Sequence, residues 1–441
     1  MKLVIFSPMA TASAIGRVTA LLVAGFVGRG HSVTVIRTES VPLLASHPHV
    51  SEAHLVPWTD REAVGAAVRN ADQVFYQIGD NYAFHGAALH WLPTVPGIVC
   101  LHDFFVASLF HAWARDRRSE SDRILAKWYG DGAVADFYNA SSSEEFIERA
   151  SSLYPMTEWI CAMAHGVVSH SHWGMPRVAR ACAGPLRVLS LPYSAPGALP
   201  VDPTGLNHDS PTISILTVGH ANANKRIKSV IHAIGSSELL RTRTVYRLCG
   251  AIESATGLAL AALARSLGVN LVISGHTDEQ ALQMAWRDAD IVSCLRWPSL
   301  EAASATTIEG LLYGKAVVVT DTGFYAELPD DCVRKVSPAN EAAELREALE
   351  FLCTHADARL DMARRGQRWA RGTFQAKHYV DQLLDLSIRV ASCTPRIRLV
   401  DHLADQMRHW GASPALVAAS GFAPSLSLLF ENPDATMPTT R

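Results

Sequence analysis

The 441-residue sequence has little that would place it outside an ordinary globular protein. Its eight cysteines form no CxxC pair, and several lie in apolar runs such as YRLCG and IVSCL. That pattern argues against a disulfide framework and for buried free thiols in a reducing compartment. There is no apolar run of about 18 residues or more, so no membrane-spanning helix is expected. The opening MKLVIFSPMATASA superficially looks like a signal peptide, but its apolar run, Leu3 to Phe6, is too short for one and reads better as a first β-strand. Net charge is −3, which gives no ground for nucleic-acid binding. No GxGxxG, Walker A, HExxH or GxSxG is present. A soluble cytoplasmic protein without a nicotinamide cofactor is the expectation.

What is present is a repeated βα pattern. Lys2–Phe6 and SVTVIR bracket a helix-patterned stretch through Thr19, Leu22, Val23 and Phe26 that ends at Gly28 or Gly30. Continuous apolar strands alternating with helices imply a parallel sheet covered on both faces. Further strands are expected at Gln73–Ile78, Gly97–Leu101 and Gly166–Ser169. The polar, aromatic-rich segment from Phe104 to Trp159 reads as an acceptor-facing helical insertion, and its basic residues Arg115, Arg117, Arg118, Arg123 and Lys127 interleave with acids as on a solvated helix face. Leu191–Pro211, rich in Pro, Gly and Ser, reads as a linker. A second βα series follows: TISILTVG, VYRLCG, NLVISG, DIVSCL, AVVVT and CVRKV.

The expected fold is therefore α/β, two Rossmann-like doubly wound domains facing a cleft. The first domain covers 1–200, with C-terminal helices over 373–430 packing back on it. The second covers 201–372, and 431–441 is a flexible tail.

Two stretches of the second domain suit a phosphate-bearing ligand. In Ser299–Lys315 (SLEAASATTIEGLLYGK), Ser304 is a candidate helix N-cap and Gly314 the residue past its C-terminus. A helix N-terminus attracts anions. Glu301 just before it and Glu309 inside it can only accept hydrogen bonds, so they suit hydroxyls on either side of an anion. The competing reading is an amphipathic helix with a solvated Glu. In the other stretch, Val218-Gly219-His220 leads through Asn222 and Asn224 to Lys225-Arg226, where two cations at a strand-to-helix turn ask for a phosphate. His102-Asp103 closes a strand of the first domain, where His102 could meet a substrate hydroxyl. Gly16 in the first loop would admit backbone close to a ligand. His165, His170 and His172 lack a nearby carboxylate and argue weakly for metal. Asp288-Ala289-Asp290 offers the DxD of metal-dependent sugar transferases but sits where a helix gives way to a strand, which favours a helix-terminus role.

TVGHANANKRI and VISGHTDEQALQMAWRDADIVSCLRWPSLEAASATTIEGLLYGKAVVVTDTGFYAELP together resemble the donor half of retaining glycosyltransferases of the GT-B fold, family 4. The E-x7-E of that family falls on Glu301 and Glu309, and Leu295-Arg296-Trp297-Pro298 resembles the LR-x-P lead-in of one bacterial branch. The resemblance implies transfer of a sugar, with retention, from a UDP- or GDP-linked donor to a glycan, lipid-linked or small-molecule acceptor, with no metal or other cofactor. It implies Lys225 on the diphosphate with backbone N–H groups of Ala303, Ser304, Ala305 and Thr306. Glu309 would lie on the ribose, Glu301 on the transferred sugar, His102 near the reacting carbon, Gly16 at the donor phosphate, and His276 at the nucleobase. Gly219-His220 stands where the family often has Gly-Arg, so either Arg226 substitutes as phosphate partner or the diphosphate is held less strongly. Ala302 stands where many relatives have Gly. The alternatives are a catalytically silent nucleotide-sugar binder and a nucleotide-sugar epimerase. Peripheral membrane contact stays open.

Overall fold

A computed structural model describes residues 1–194 and 212–421. Most of the expected linker and all of the expected tail 431–441 lie outside these residues. The first sheet contains β1 (Lys2–Ser7), β2 (Ser32–Arg37), β3 (His54–Pro57), β4 (Gln73–Ile78), β5 (Ile98–Leu101), β6 (Gly166–Ser169) and β7 (Leu186–Val188). Its order is β3-β2-β1-β4-β5-β6-β7, all parallel. The second contains β8 (Ile213–Val218), β9 (Thr244–Cys249), β10 (Leu271–Gly275), β11 (Ile291–Cys294), β12 (Ala316–Thr320) and β13 (Arg334–Val336), in the order β10-β9-β8-β11-β12-β13, also parallel. Each sheet reverses its strand order once, between β1 and β4 and between β8 and β11. Doubly wound sheets leave a crevice at such a point, beyond the strand C-termini.

The strands form where the sequence is apolar on both faces. Every residue of β4, β5, β8, β11 and β12 is buried. Strands β3 and β7 were not expected: both are short edge strands, one half polar and one ending the sheet beside Pro185, so neither carries a buried-strand pattern. The helix Ala14–Val27 is capped by Ser13, whose Oγ accepts the Gly16 N–H, and it buries Val18, Leu22, Val23 and Phe26 against the sheet. Gly16 therefore sits in the first turn of a helix and not in a loop. A Cβ there would meet the Pro8 carbonyl and the His49 ring at 2.9 Å, so protein and not ligand fills the space its missing side chain leaves.

The Phe104–Trp159 insertion folds into five helices between β5 and β6. Its aromatic residues turn inward: Phe110, Trp113, Phe137 and Trp159 stack or meet edge to face and are all buried. These rings form a core of the insertion's own.

The two domains are tied at several places. The start of the expected linker is packed, since Leu191 and Tyr193 are buried and the Tyr193 N–H donates to the Phe374 carbonyl. The long helix Ala376–His409 lies along the helix Ala14–Val27, where a Cβ on Gly25 would come within 2.7 Å of Val380 and where Arg29 pairs with Asp381 at 2.7 Å. Seven of the eight cysteines are buried, all are free, and no helix among the described residues is long and apolar enough to cross a membrane.

Trp286 is fully buried and stacks on Tyr313 at 5.3 Å between centroids, bracing the helix Ala305–Leu312 from behind. Trp286→Ala should lower the stability of the second domain by about 3–5 kcal/mol, read as an earlier transition in calorimetry with the first domain's transition kept.

Candidate active site

Several residues singled out from sequence fall at strand C-termini at or one strand from the two reversal points. His102 and Asp103 follow β5, Gly219 to Arg226 follow β8, and the loop Leu295–Ser304 follows β11. The two domains meet there through their main chains. The N–H groups of Phe104 and Phe105 donate to the Leu300 carbonyl at 2.9 and 3.0 Å, and the Ala302 N–H donates to the His102 carbonyl at 2.9 Å. Asp103 and Glu301 form an antiparallel bridge.

On the inner side of this seam is a cavity of about 280 Å³ lined by Ser13 and Ile15 at the start of the helix Ala14–Val27, Asp80, His102, Asp103, Ala303 and Ala305. The first loop is held by Glu39, whose Oε1 accepts the N–H groups of Met9 and Ala10 at 2.8 and 2.7 Å. Opposite, the helix Ala305–Leu312 starts as expected: Ser304 is the N-cap, its Oγ accepting the Thr307 N–H, and Gly314 has a φ of 66° just past the C-terminus. The helix presents its N-terminal end to this cavity, an arrangement that suits an anion.

Glu301 is buried. Its Oε1 accepts hydrogen bonds from Arg296 Nε at 2.9 Å and the Tyr325 hydroxyl at 2.6 Å. Burial pushes its carboxyl up, but the Arg296 charge and the Tyr325 hydroxyl outweigh that and hold it below the usual range. Arg296 is itself 5% exposed. The Lys225 ammonium donates to the Val218 carbonyl at 2.7 Å, passing under Gly219, where φ is 93° and a Cβ would lie 2.6 Å from Nζ. Burial, reinforced by Arg296, brings Lys225 down to about 7.

Glu309 is buried at the domain interface. Its Oε2 accepts the Tyr193 hydroxyl at 3.2 Å, and Arg17 lies 3.9 Å away with its guanidinium 4.5 Å above the Tyr193 ring. Burial raises Glu309 to about 6, with Arg17 opposing. His102 Nε2 bonds Gln77 Oε1 at 2.7 Å, and burial, followed by the neighbouring His170 and His85, keeps the ring neutral.

Other expected residues are placed differently. Arg226 pairs with Glu341, which takes its guanidinium at 2.8 and 3.0 Å. The buried cation beside Lys225 is Arg296. His220 and His276 are exposed, each just past a strand end in the second sheet. His170 Nδ1 donates to the Leu189 carbonyl at 2.9 Å, and His172 contacts Glu327. No group of three or more metal-ligating side chains occurs among the described residues. The Asp290 carboxylate accepts the Ser214 N–H at 2.8 Å, joining β8 to the turn before β11.

Arg17, Tyr193, Arg296 and Asp80 are site residues that sequence reasoning missed. The LR-x-P lead-in was a signal for Arg296; the others have none, since they meet the site only through folding. Asp80 Oδ1 accepts the Leu109 N–H at 2.9 Å, and its own N–H donates to Asp103 Oδ2 at 2.8 Å. Burial pushes both carboxyls up, Asp103 to about 7.

The second domain, residues 202–369, matches the family model "Glycosyl transferases group 1". No curated protein matches the chain significantly in sequence. Solved structures do match in fold. A sucrose-phosphate synthase from Thermosynechococcus elongatus superposes with a TM-score of 0.59 at 13% identity, over 89% of this chain and 100% of that one. A glycosyltransferase from Rickettsia africae gives 0.59 at 13%, over 88% and 98%. HepE from Anabaena, in complex with UDP and glucose, gives 0.57 at 13%, over 87% and 98%. The two facing parallel-sheet domains are the GT-B fold.

A carboxyl raised in the folded state binds protons that the unfolded chain releases, so its burial costs stability as pH climbs from the unfolded pKa to the folded one. For Asp103 that window runs from about 4 to about 7. Asp103→Asn should therefore stabilise the ligand-free protein by something on the order of 3 kcal/mol at about pH 8, with the gain fading below about pH 4. Thermal midpoints across that range measure it.

Proposed function

We propose that the protein transfers a sugar from a nucleoside-diphosphate sugar to an acceptor hydroxyl. The observation that carries this reading is that the N-terminus of the helix Ala305–Leu312 opens on the cavity between the two sheets, while the neighbouring buried cations Lys225 and Arg296 lie at strand ends of the same sheet. Three sources of positive potential in a buried place suit a group on which negative charge grows, as on a departing nucleoside diphosphate. Lys225 and backbone N–H groups of Ala303 to Thr306 would take the diphosphate. Glu309 would take the ribose once it exchanges Tyr193 and Arg17 for hydroxyls. Glu301 would take hydroxyls of the sugar on its remaining oxygen, and His102 would stand on the opposite wall near the reacting carbon.

The finer reading is a family 4 hexosyltransferase that retains configuration. The leaving phosphate would accept the proton of the acceptor hydroxyl as the new bond forms on the same face, with Lys225 stabilising the charge and no metal needed. Domain closure along the seam would exclude water and limit donor hydrolysis. The HepE complexes with UDP and with UDP-glucose make UDP the first nucleotide to test, ahead of GDP. The reaction would run in the cytoplasm, where eight free thiols stay reduced.

A second reading, a silent nucleotide-sugar binder, is favoured by one observation: Arg226, Glu301 and Glu309 all have partners from the protein itself. Nucleotide binding without sugar transfer or donor hydrolysis, across UDP- and GDP-linked donors and an acceptor panel, would support it over the first.

Lys225→Ala should cut transfer by about 100-fold or more, while Glu309→Ala should act mainly on donor KM; near-wild-type turnover in both variants overturns the assignment. Because Lys225 lies near 7 when the site is empty, an arriving diphosphate must raise it and bind a proton. UDP affinity should therefore fall above about pH 7, by up to about tenfold per unit, and calorimetry in buffers of different ionisation enthalpy should show proton uptake that Lys225→Met abolishes.

A further inference from the structure

The first-domain wall of the inner cavity carries two acceptor atoms that the protein leaves unused. Asp103 Oδ2 takes the Asp80 N–H at 2.8 Å, but Oδ1 has no partner among the described residues. His85 is 2% exposed, and its Nδ1 lies 3.0 Å from the Gln77 carbonyl, which can only accept, so Nδ1 carries the proton. Burial lowers the ring to about 4 and keeps it neutral. Nε2 is therefore a bare acceptor, also without a partner among the described residues. Both residues line the cavity, and neither atom is sealed off from it.

Gly79 brings the two together. A Cβ there would come within 2.9 Å of Asp103 Oδ2, 3.0 Å of His85 Nε2 and 2.7 Å of Ile15 Cδ1. The missing side chain lets a carboxylate, an imidazole and an apolar group close over one spot. Asp80 does not add to them, because its carboxyl is taken by the Leu109 N–H and by Ser108. At the rim, Asn81 Oδ1 accepts the Ala83 N–H, which leaves the Asn81 amide NH2 to donate outward.

These groups restrict the occupant. A purely apolar ligand would leave both acceptors unpaired in a buried place. An anion against this wall would meet Asp103 and, bridged to it, Glu301, and among the described residues no Lys or Arg lines the cavity. A cation would face the positive end of the helix Ala305–Leu312 across the cavity. A neutral ligand with several hydroxyls avoids both penalties, and Ile15, Val18 and Leu191 give its C–H groups an apolar surface. A sugar ring has that combination. Its hydroxyls would also offset the cost of charging Asp103, which burial holds up at about 7 in the empty protein.

We propose that Asp103 Oδ1 and His85 Nε2 bind hydroxyls of an uncharged sugar ring of the acceptor, which carries neither phosphate nor ammonium where it enters the inner cavity. The assignment to the acceptor rests on the glycosyl-transfer reading; the binding of a neutral sugar at Gly79 does not. Donor and acceptor would then divide the cavity, with the diphosphate on the helix of the second domain and the acceptor ring on the wall of the first.

Saturation-transfer NMR on the full chain with UDP present tests this, at a slightly alkaline pH where Asp103 is ionised. The probes are glucose, mannose, galactose and N-acetylglucosamine, with glucose 6-phosphate as the anion and N-methylglucamine as the cation. Thermal shifts with UDP and GDP run alongside. At least one neutral sugar should receive saturation, and more than either charged probe. Asp103→Asn should weaken its Kd about tenfold and keep the wild-type UDP shift, and Gly79→Ala, which fills the spot between the two acceptors, should weaken it as well. Silence from every neutral sugar, preference for a charged probe, or unaltered binding in Asp103→Asn overturns the site. Loss of the sugar signal when UDP-glucose replaces UDP puts the ring on the donor and overturns the assignment to the acceptor. Sugar binding with no shift from either nucleotide retains the site and removes the glycosyl-transfer reading.

Discussion

The main-chain seam between His102–Phe105 and Leu300–Ala302 is the constraint from which the rest of the site follows. Peptide groups withdrawn from water must find partners, and here those of one domain's strand end find them in the other domain's loop. His102 and Asp103 are thereby placed by Leu300 and Ala302, and Glu301 by Asp103. One set of hydrogen bonds aligns the two reversal points and borders the inner cavity. A change in the seam is a change in that cavity.

Burial is the common cause of the site's electrostatics. It holds Lys225 low and Asp103 and Glu309 high, and each is left with less compensation than its charged form would draw from water. Glu301 is the exception, since Arg296 and Tyr325 more than offset its desolvation. The arrangement is costly when empty and improves with a ligand that brings negative charge to Lys225 and hydroxyls to Glu309. That imbalance is a physical argument for an occupied working state.

The wall around Gly79 belongs to the same logic. Asp103 is fixed by the Asp80 N–H on one side and by the seam on the other, and it shares the cavity with the N-terminus of a second-domain helix. Substrate contacts that depend on two domains report on closure in a way that contacts to one domain do not.

Much of this was legible in the residue order. Apolar runs buried on both faces, such as β4, β8 and β12, declare parallel strands by composition alone, and Ser304 and Gly314 mark a helix's ends through local backbone chemistry. Edge strands β3 and β7 escaped because an edge needs no continuous apolar run. Gly16 was misplaced because a glycine serving close packing looks the same in sequence as one serving a ligand. The inward packing of the insertion's rings was likewise not legible: composition reports that rings are present, not whether they face inward. What the sequence by itself determined was therefore local, namely strands, caps and the spacing of Glu301, Glu309 and Lys225. Only the tertiary structure decided that Arg226 is taken by Glu341, that Arg296 is the cation beside Lys225, and that Arg17 and Tyr193 reach Glu309. Those pairings join residues far apart in the chain, and a side chain's partner is set by which strand ends the sheet order brings together.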